Sequence, residues 1–109
     1  MKIKDIGEKL GLTVISGEDN LEREAENCFI GDLLSHVMSH AKSGDVWITV
    51  QGNINVIAVA SLTDCAMVII CEGMKLDDSA LKKARIEEIP VFASGKSAYN
   101  LACELKELL

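Results

Sequence analysis

The sequence predicts an α/β domain with a largely parallel sheet and flanking helices. Three short apolar runs, at 46–50, 66–70 and 91–93, are each followed by a turn and a helix-compatible stretch. Strands buried on both faces of a parallel sheet are continuously apolar rather than alternating. Because ligands bind beyond the carboxyl ends of such strands, the turns after these runs are where a site is expected.

Length and composition favour one domain spanning residues 1–109. The chain is 49% hydrophobic but only 4% aromatic, so its core is expected to be aliphatic. A formal charge of −6 without a Lys/Arg cluster argues against a nucleic-acid partner. The apolar runs are too short to cross a bilayer, and the N-terminus lacks an apolar signal segment. We therefore expect a cytoplasmic protein with no membrane partner.

The first half of the chain contains short predicted elements. A helix is expected at 3–10, ended by Gly11, and a strand at 12–15. Residues 21–27 are weakly patterned and predicted to be irregular, and a short strand follows at 28–30.

The next predicted helix has the clearest pattern of the chain. Asp32 is expected to cap its start and Gly44 its end. Its apolar residues recur at helical spacing on one face: Leu33, Leu34, Val37, Met38 and Ala41.

Three further helices are predicted, at 53–64, from Asp77 onward, and at 97–108. The segment 53–64 is rich in β-branched residues, but its length and its alanines favour a helix. This helix would be apolar nearly all round, so it must be buried in the domain or at a subunit interface. That requirement is the basis for expecting a homodimer.

Cysteine and histidine spacing predicts no metal site and no cofactor. Cys28, Cys65, Cys71 and Cys103 form no C-x-x-C pair, and we expect buried, reduced thiols, with a metal or cluster site as the alternative. His36 and His40 stand four residues apart on the polar side of their predicted helix, so a solvated helix face is favoured over a metal site.

Two glycine loops are candidate ligand loops. Gly52 with Asn53, and Glu72 with Gly73, follow two of the apolar runs, and glycine there permits close backbone approach. The alternative is that both are ordinary strand-to-helix turns.

Ser94-Gly95-Lys96-Ser97 ends like a phosphate-binding P-loop, but Pro90 stands where that motif needs a glycine. An anion-compatible helix start at Lys96 and Ser97 remains, with a plain helix cap and a solvated lysine as the alternative. No Ser–His–acid or Cys–His array can be assembled, so no catalytic residue is predicted.

Six short motifs follow one another from about Gly31 to the C-terminus. They are Gly31-Asp32, Gly44-Asp45-Val46, Gly52, Gly73, Ile89-Pro90-Val91 and Ser97-Ala98-Tyr99. In this order they resemble the DRTGG domain, a small α/β module. Upstream, 12–17 with Leu21 and Arg23 is similar to the opening of the N-terminal domain of HPr kinase/phosphorylase, a related fold.

The two signatures that name this family are altered here. The Asp-Arg pair falls at Asn53-Ile54, and Thr-Gly-Gly falls at Cys71-Glu72-Gly73, so only the last glycine is retained. The lost arginine removes the most obvious phosphate contact.

The resemblance implies a non-catalytic regulatory domain that self-associates as a homodimer, senses a ligand and acts on a partner protein. A kinase activity is not implied, because the P-loop of HPr kinase belongs to a separate catalytic domain. The first alternative is a sensor that binds an adenine nucleotide or a phosphorylated metabolite. Its candidate ligand residues are Gly52, Asn53, Glu72, Gly73, Lys96 and Ser97. The second alternative is an enzyme, for which no nucleophile–base pair is present.

Overall fold

Five helices, five strands and one 3-10 turn at Glu18–Asn20 form the computed structural model, which describes all 109 residues. In chain order the elements are α1 Ile3–Leu10, β1 Thr13–Ser16, β2 Asn27–Ile30, α2 Leu34–His40, β3 Asp45–Thr49, α3 Ile54–Thr63, β4 Met67–Ile70, α4 Asp78–Ile86, β5 Val91–Ala93 and α5 Ala98–Leu108.

All strands belong to one sheet with the order β1-β5-β4-β3-β2. β2, β3, β4 and β5 are parallel, whereas β1 is an antiparallel edge strand beside β5. The predicted α/β fold with a largely parallel sheet is therefore confirmed. The antiparallel pairing sets Thr13 opposite Ala93. The beginning of β1 consequently lies at the edge where the parallel strands end.

Two layers of helices cover the sheet and explain why its strands are apolar throughout. Ile48 and Ile69 pack in a core with α1 and α5, while the neighbouring Trp47 and Val68 pack in a second core with α2, α3 and α4. Every residue of β3 and β4 is buried. Burial on both faces removes the polar alternation of a half-exposed strand.

The β-branched segment after β3 is helical, as its length and alanines predicted. Asn53 Oδ1 accepts a 2.9 Å hydrogen bond from the backbone N–H of Asn55 and so caps α3. The inner side of α3 is buried through Val56, Ile57 and Val59. Tertiary burial therefore outweighs the strand preference of valine and isoleucine.

The predicted ends of α2 were wrong. The residue before the helix is Leu33, which makes no side-chain cap, and Asp32 lies one residue further out. The helix ends at His40, and Gly44 instead has a left-handed φ of 84° in the turn before β3. Asp32 cannot cap α2, because its carboxylate is bound to the end of β3. Met38, predicted on the apolar face, is exposed.

The prediction of four buried thiols was half right. Cys65 and Cys71 are buried, whereas Cys28 and Cys103 are exposed. Burial raises the pKa of the Cys65 thiol to about 12, and that of Cys71 is also raised by burial. None of the helices combines the length and the apolar character that a bilayer span requires.

Candidate functional site

Three loops meet at the carboxyl edge of the sheet and are tied to one another by backbone hydrogen bonds. They are the β3–α3 loop 50–53, the β4–α4 loop 71–77 and the β5–α5 loop 94–97. The N–H of Glu72 donates to the Lys96 carbonyl at 2.9 Å, and the N–H of Gly73 donates to the Ser94 carbonyl at 3.0 Å. The site therefore has a fixed backbone frame.

Gly52 fastens the β3–α3 loop to the β4–α4 loop. The N–H of Asp77 donates to the Gly52 carbonyl at 2.8 Å. A Cβ built on Gly52 would lie 2.0 Å from the carbonyl oxygen of Lys75. This position needs glycine because the next loop approaches it too closely for any side chain.

Asn53 is engaged by its own loop. Its Oδ1 caps α3, and its Nδ2 donates to Gln51 Oε1 at 3.2 Å. Gln51 Nε2 in turn donates to the backbone oxygen of Asp32. The amide of Asn53, which was predicted to be a ligand residue, therefore helps to hold the β3–α3 loop.

Asp32, which sequence analysis assigned to a helix cap, organises the end of β3. Its Oδ1 accepts from the hydroxyl of the buried Thr49 at 2.8 Å and from the N–H of Val50 at 2.9 Å. The carboxylate thus joins the ends of the neighbouring parallel strands β2 and β3. Nothing in the local sequence pattern distinguishes this role from a cap, since both require an acid before a helix.

The side chain of Lys96 is directed away from the loops. Its Nζ lies 2.9 Å from both carboxylate oxygens of Glu104 and 3.2 Å from the Leu10 carbonyl. Ser97 is a plain helix cap, because its Oγ accepts from the N–H of Asn100 at 3.1 Å. Both residues thus have structural partners of their own, and only the Lys96 backbone contacts the β4–α4 loop.

Glu72 and Gly73 form the turn that leaves β4. Both have left-handed backbone angles, with φ of 61° and 69°. A glutamate in this region is strained, and such strain is sustained where surrounding contacts fix the backbone. Here the two hydrogen bonds to the β5–α5 loop supply those contacts.

A crevice of about 420 Å³ opens between these loops and the start of β1. Its size lies within the range of small-molecule sites. Its lining combines apolar and polar residues: Thr13, Ile15, Ile70, Gly73, Met74, Lys75, Leu76, Leu81, Ala93, Ser94 and Gly95. Of the six predicted ligand residues, only Gly73 lines it, and the crevice is displaced toward β5 and β1.

Sequence reasoning missed Thr13, Lys75 and Ser94. Thr13 reaches the crevice only because β1 is antiparallel, which no local pattern shows. Ser94 could have been found from its position directly after β5. Lys75 carries the one positive charge in the lining and makes no salt bridge or side-chain hydrogen bond in the structure.

No group of three or more His, Cys, Asp or Glu side chains is placed to hold a metal ion. His36 and His40 lie exposed on α2 with their rings stacked at 4.0 Å between centroids. No cysteine lines the crevice. Burial raises the pKa of the Cys71 thiol, which follows β4, and this keeps the thiol protonated and unreactive near neutral pH.

Comparison with known proteins identifies a family and a structural relative. The model of the DRTGG domain matches residues 5–108. A crystal structure of the CBS and DRTGG domains of the regulatory region of Clostridium perfringens pyrophosphatase, complexed with the activator diadenosine tetraphosphate, superposes with a TM-score of 0.76 at 11% identity. The match covers 95% of this chain and 45% of that one, so this chain spans less than half of its structural relative. Among curated protein sequences, none is significantly similar.

Proposed function

The chain belongs to the DRTGG domain family, and from this premise we propose that it is a non-catalytic regulatory domain that senses an adenine nucleotide. The observation that carries this proposal is the crevice at the carboxyl edge of the sheet, with its apolar lining residues and its unpaired Lys75. Apolar side chains can pack against a nucleobase, and the ammonium group of a lysine can bind a phosphate.

The ligand class comes from the structural relative. The Clostridium perfringens regulatory region was solved with diadenosine tetraphosphate, its activator. That region has CBS domains as well as the DRTGG domain, so its complex supports the ligand class rather than a position. The crevice supports the position in this chain, since ligands of parallel α/β sheets bind beyond the carboxyl ends of strands.

A sensor also needs a route from the ligand to the rest of the domain. The β4–α4 loop lines the crevice and is fastened to the β3–α3 loop at Gly52. A ligand that moved Lys75 would therefore act on the starts of both α3 and α4. This link supports a regulatory role, because those helices belong to one of the two helical layers that cover the sheet.

The experiment uses Gly95, which lines the crevice and has open space around it. A Cβ at Gly95 meets no atom within 4 Å. Gly95→Leu should therefore fold normally while it adds a bulky side chain to the lining of the crevice, and Gly95→Ala is the matched control. Calorimetric titration with AMP, ATP and diadenosine tetraphosphate should show binding to the wild type and to Gly95→Ala. The affinity of Gly95→Leu for these nucleotides should be lower by about tenfold or more.

Two results would overturn this proposal. The first is that no adenine nucleotide binds the wild-type chain at millimolar concentration. The second is that Gly95→Leu binds as tightly as Gly95→Ala, which would place the ligand elsewhere. Glucose 6-phosphate is titrated in the same way, and if it alone gave a binding signal, the domain would be a phosphometabolite sensor instead.

Self-association is a second candidate function, and the outer face of α3 supports it. α3 lies between α2 and α4, and all three cover one side of the sheet. The outer surface of this layer exposes large apolar side chains: Met38, Ile54, Leu62 and Ile86. Leu62 is 73% exposed and Ile86 is 72% exposed. A second copy covering this layer would remove that apolar surface from water.

Light scattering over a range of protein concentrations tests this dimer. We expect dimers for the wild type and monomers for Leu62→Glu. Tyr99→Glu is the matched control, because Tyr99 is equally exposed at 76% but lies on α5, across the sheet. A monomeric wild type, or equal dimerisation of both variants, would contradict the proposed interface.

A further inference from the structure

The charges around the crevice restrict the ligand further than its volume does. Lys75 is the one cation in the lining. Lys96, the other lysine of the adjoining loops, is neutralised by Glu104 at 2.9 Å. A ligand in the crevice therefore meets a single available ammonium group.

Acidic residues outnumber Lys75 on its own loop and at the start of the next helix. Glu72 begins the β4–α4 loop, Asp77 ends it, and Asp78 is the first residue of α4. None of the three carboxylates has a salt-bridge partner. The whole chain, these residues included, carries a formal charge of −6. Each further negative charge on a ligand consequently meets repulsion that one lysine does not offset.

The apolar part of the crevice is large relative to its charged part. Ile15 and Ile70 from the sheet, with Leu76 and Leu81 from the α4 side, are the aliphatic part of the lining. The hydroxyls of Thr13 and Ser94 are its uncharged polar groups. This combination suits a flat heterocycle with a polar edge far better than a chain of phosphates.

From this arrangement, and resting on the proposed nucleotide-sensing function, we propose that the crevice selects adenosine or a nucleoside monophosphate and discriminates against triphosphates and longer polyphosphates. Lys75 contacts the single phosphate, and the acidic residues Glu72, Asp77 and Asp78 make every additional phosphate unfavourable. The domain then responds to the form of the nucleotide that carries one phosphate or none. This preference is distinct from the tetraphosphate activator of the structural relative.

The test compares affinities for adenosine, AMP, ADP, ATP and diadenosine tetraphosphate in magnesium-free buffer at constant ionic strength. We expect AMP to bind about tenfold more tightly than ATP, with diadenosine tetraphosphate weaker still. Raising the salt from about 0.05 M to about 0.5 M should narrow the difference between AMP and ATP, because salt screens the repulsion.

Lys75→Ala separates contact with the phosphate from binding of the base. This substitution should lower the affinity for AMP about tenfold and change the affinity for adenosine by less than about twofold. Lys82→Ala is the matched control, since it removes the same charge from an exposed position on α4 outside the crevice. Equal effects of the two substitutions on AMP would show that Lys75 makes no direct contact and would overturn the assignment.

The outcomes distinguish this inference from the function on which it rests. If affinity rises with each phosphate, the domain is still a nucleotide sensor, but its proposed selectivity is wrong. If none of the five compounds binds, the nucleotide-sensing proposal itself fails.

Discussion

The guanidinium group of Arg23 binds Asp64 at two points, although 41 residues separate them in the chain. Nη1 donates to Asp64 Oδ1 at 2.9 Å, and Nη2 donates to the Asp64 backbone oxygen at 2.7 Å. Asp64 follows the end of α3 with a left-handed φ of 55°. The Ser43 hydroxyl donates to its Oδ2 at 2.6 Å. Arg23 therefore anchors the segment before β2 to the turn that leads into β4.

Replacing Arg23 by alanine should lower the free energy of unfolding by about 1 kcal/mol. The ion pair is partly exposed and contributes little, so most of this loss comes from the bond to the backbone oxygen. Urea unfolding followed by Trp47 fluorescence measures it. Arg85→Ala is the control, because Arg85 is exposed and has no salt-bridge partner. An equal loss for both variants would show that the contact with Asp64 is not the cause.

Asp64 should make the stability of the domain sensitive to acid. Hydrogen bonds from Arg23 and Ser43 lower the pKa of this carboxyl below its ordinary 3.8. A lowered folded-state pKa gives a stabilising contribution that is complete above the ordinary value and is lost as pH falls through the lowered one.

The comparison with Asp64→Asn isolates that contribution. The wild type should be the more stable of the two near neutral pH, and the difference should shrink as the pH is lowered below about 4. Urea unfolding curves between about pH 6 and pH 3 measure it. A difference that stayed constant over this range would mean that the Asp64 charge adds nothing to stability.

A methyl group at Gly52 should separate the two loops that the glycine joins. Gly52→Ala places a methyl carbon 2.0 Å from the carbonyl oxygen of Lys75, so the backbone of one of the two loops must move. We expect a loss of about 1–3 kcal/mol in the free energy of unfolding, together with weaker nucleotide binding in the crevice. Gly95→Ala, which meets no atom within 4 Å, should change stability by less than about 0.5 kcal/mol. Similar stability of the two variants would show that the loop contact is easily displaced.

The four cysteines should differ sharply in reactivity. Cys103 is exposed and should be alkylated first at about pH 8. Cys28 is exposed as a residue, but protein atoms around its sulfur displace water and, together with the Asp45 carboxylate, raise the pKa of this thiol to about 11. Burial raises the pKa of the Cys65 thiol to about 12. Only the thiolate reacts, so these two should be labelled slowly. Mass spectrometry of the labelled chain gives the order, and in urea all four should react alike. Rapid labelling of Cys65 in the folded protein would contradict its burial.

The crevice shows where reasoning from sequence stopped. Gly73 was identified because it follows a buried strand, and the carboxyl ends of the strands are where ligands bind in open α/β sheets. Lys96 was chosen for its charge beside a helix start, but Glu104, two turns along α5, neutralises it. Lys75 was not predicted, because no sequence motif includes it. Its position in the lining depends on how the β4–α4 loop is fastened at Gly52.

The sequence by itself determined the α/β class, most of the elements and the inward sides of the helices. These follow from local periodicity, cap residues and the continuous apolar runs of strands such as 67–70, which are short-range properties. Only the tertiary structure decided that β1 is antiparallel, that Asp32 binds Thr49 rather than capping a helix, and that Lys75 rather than Lys96 faces the crevice. Each of these is a contact between segments distant in the chain. Local residue preferences cannot specify it, because many partners are compatible with the same local pattern and packing selects among them.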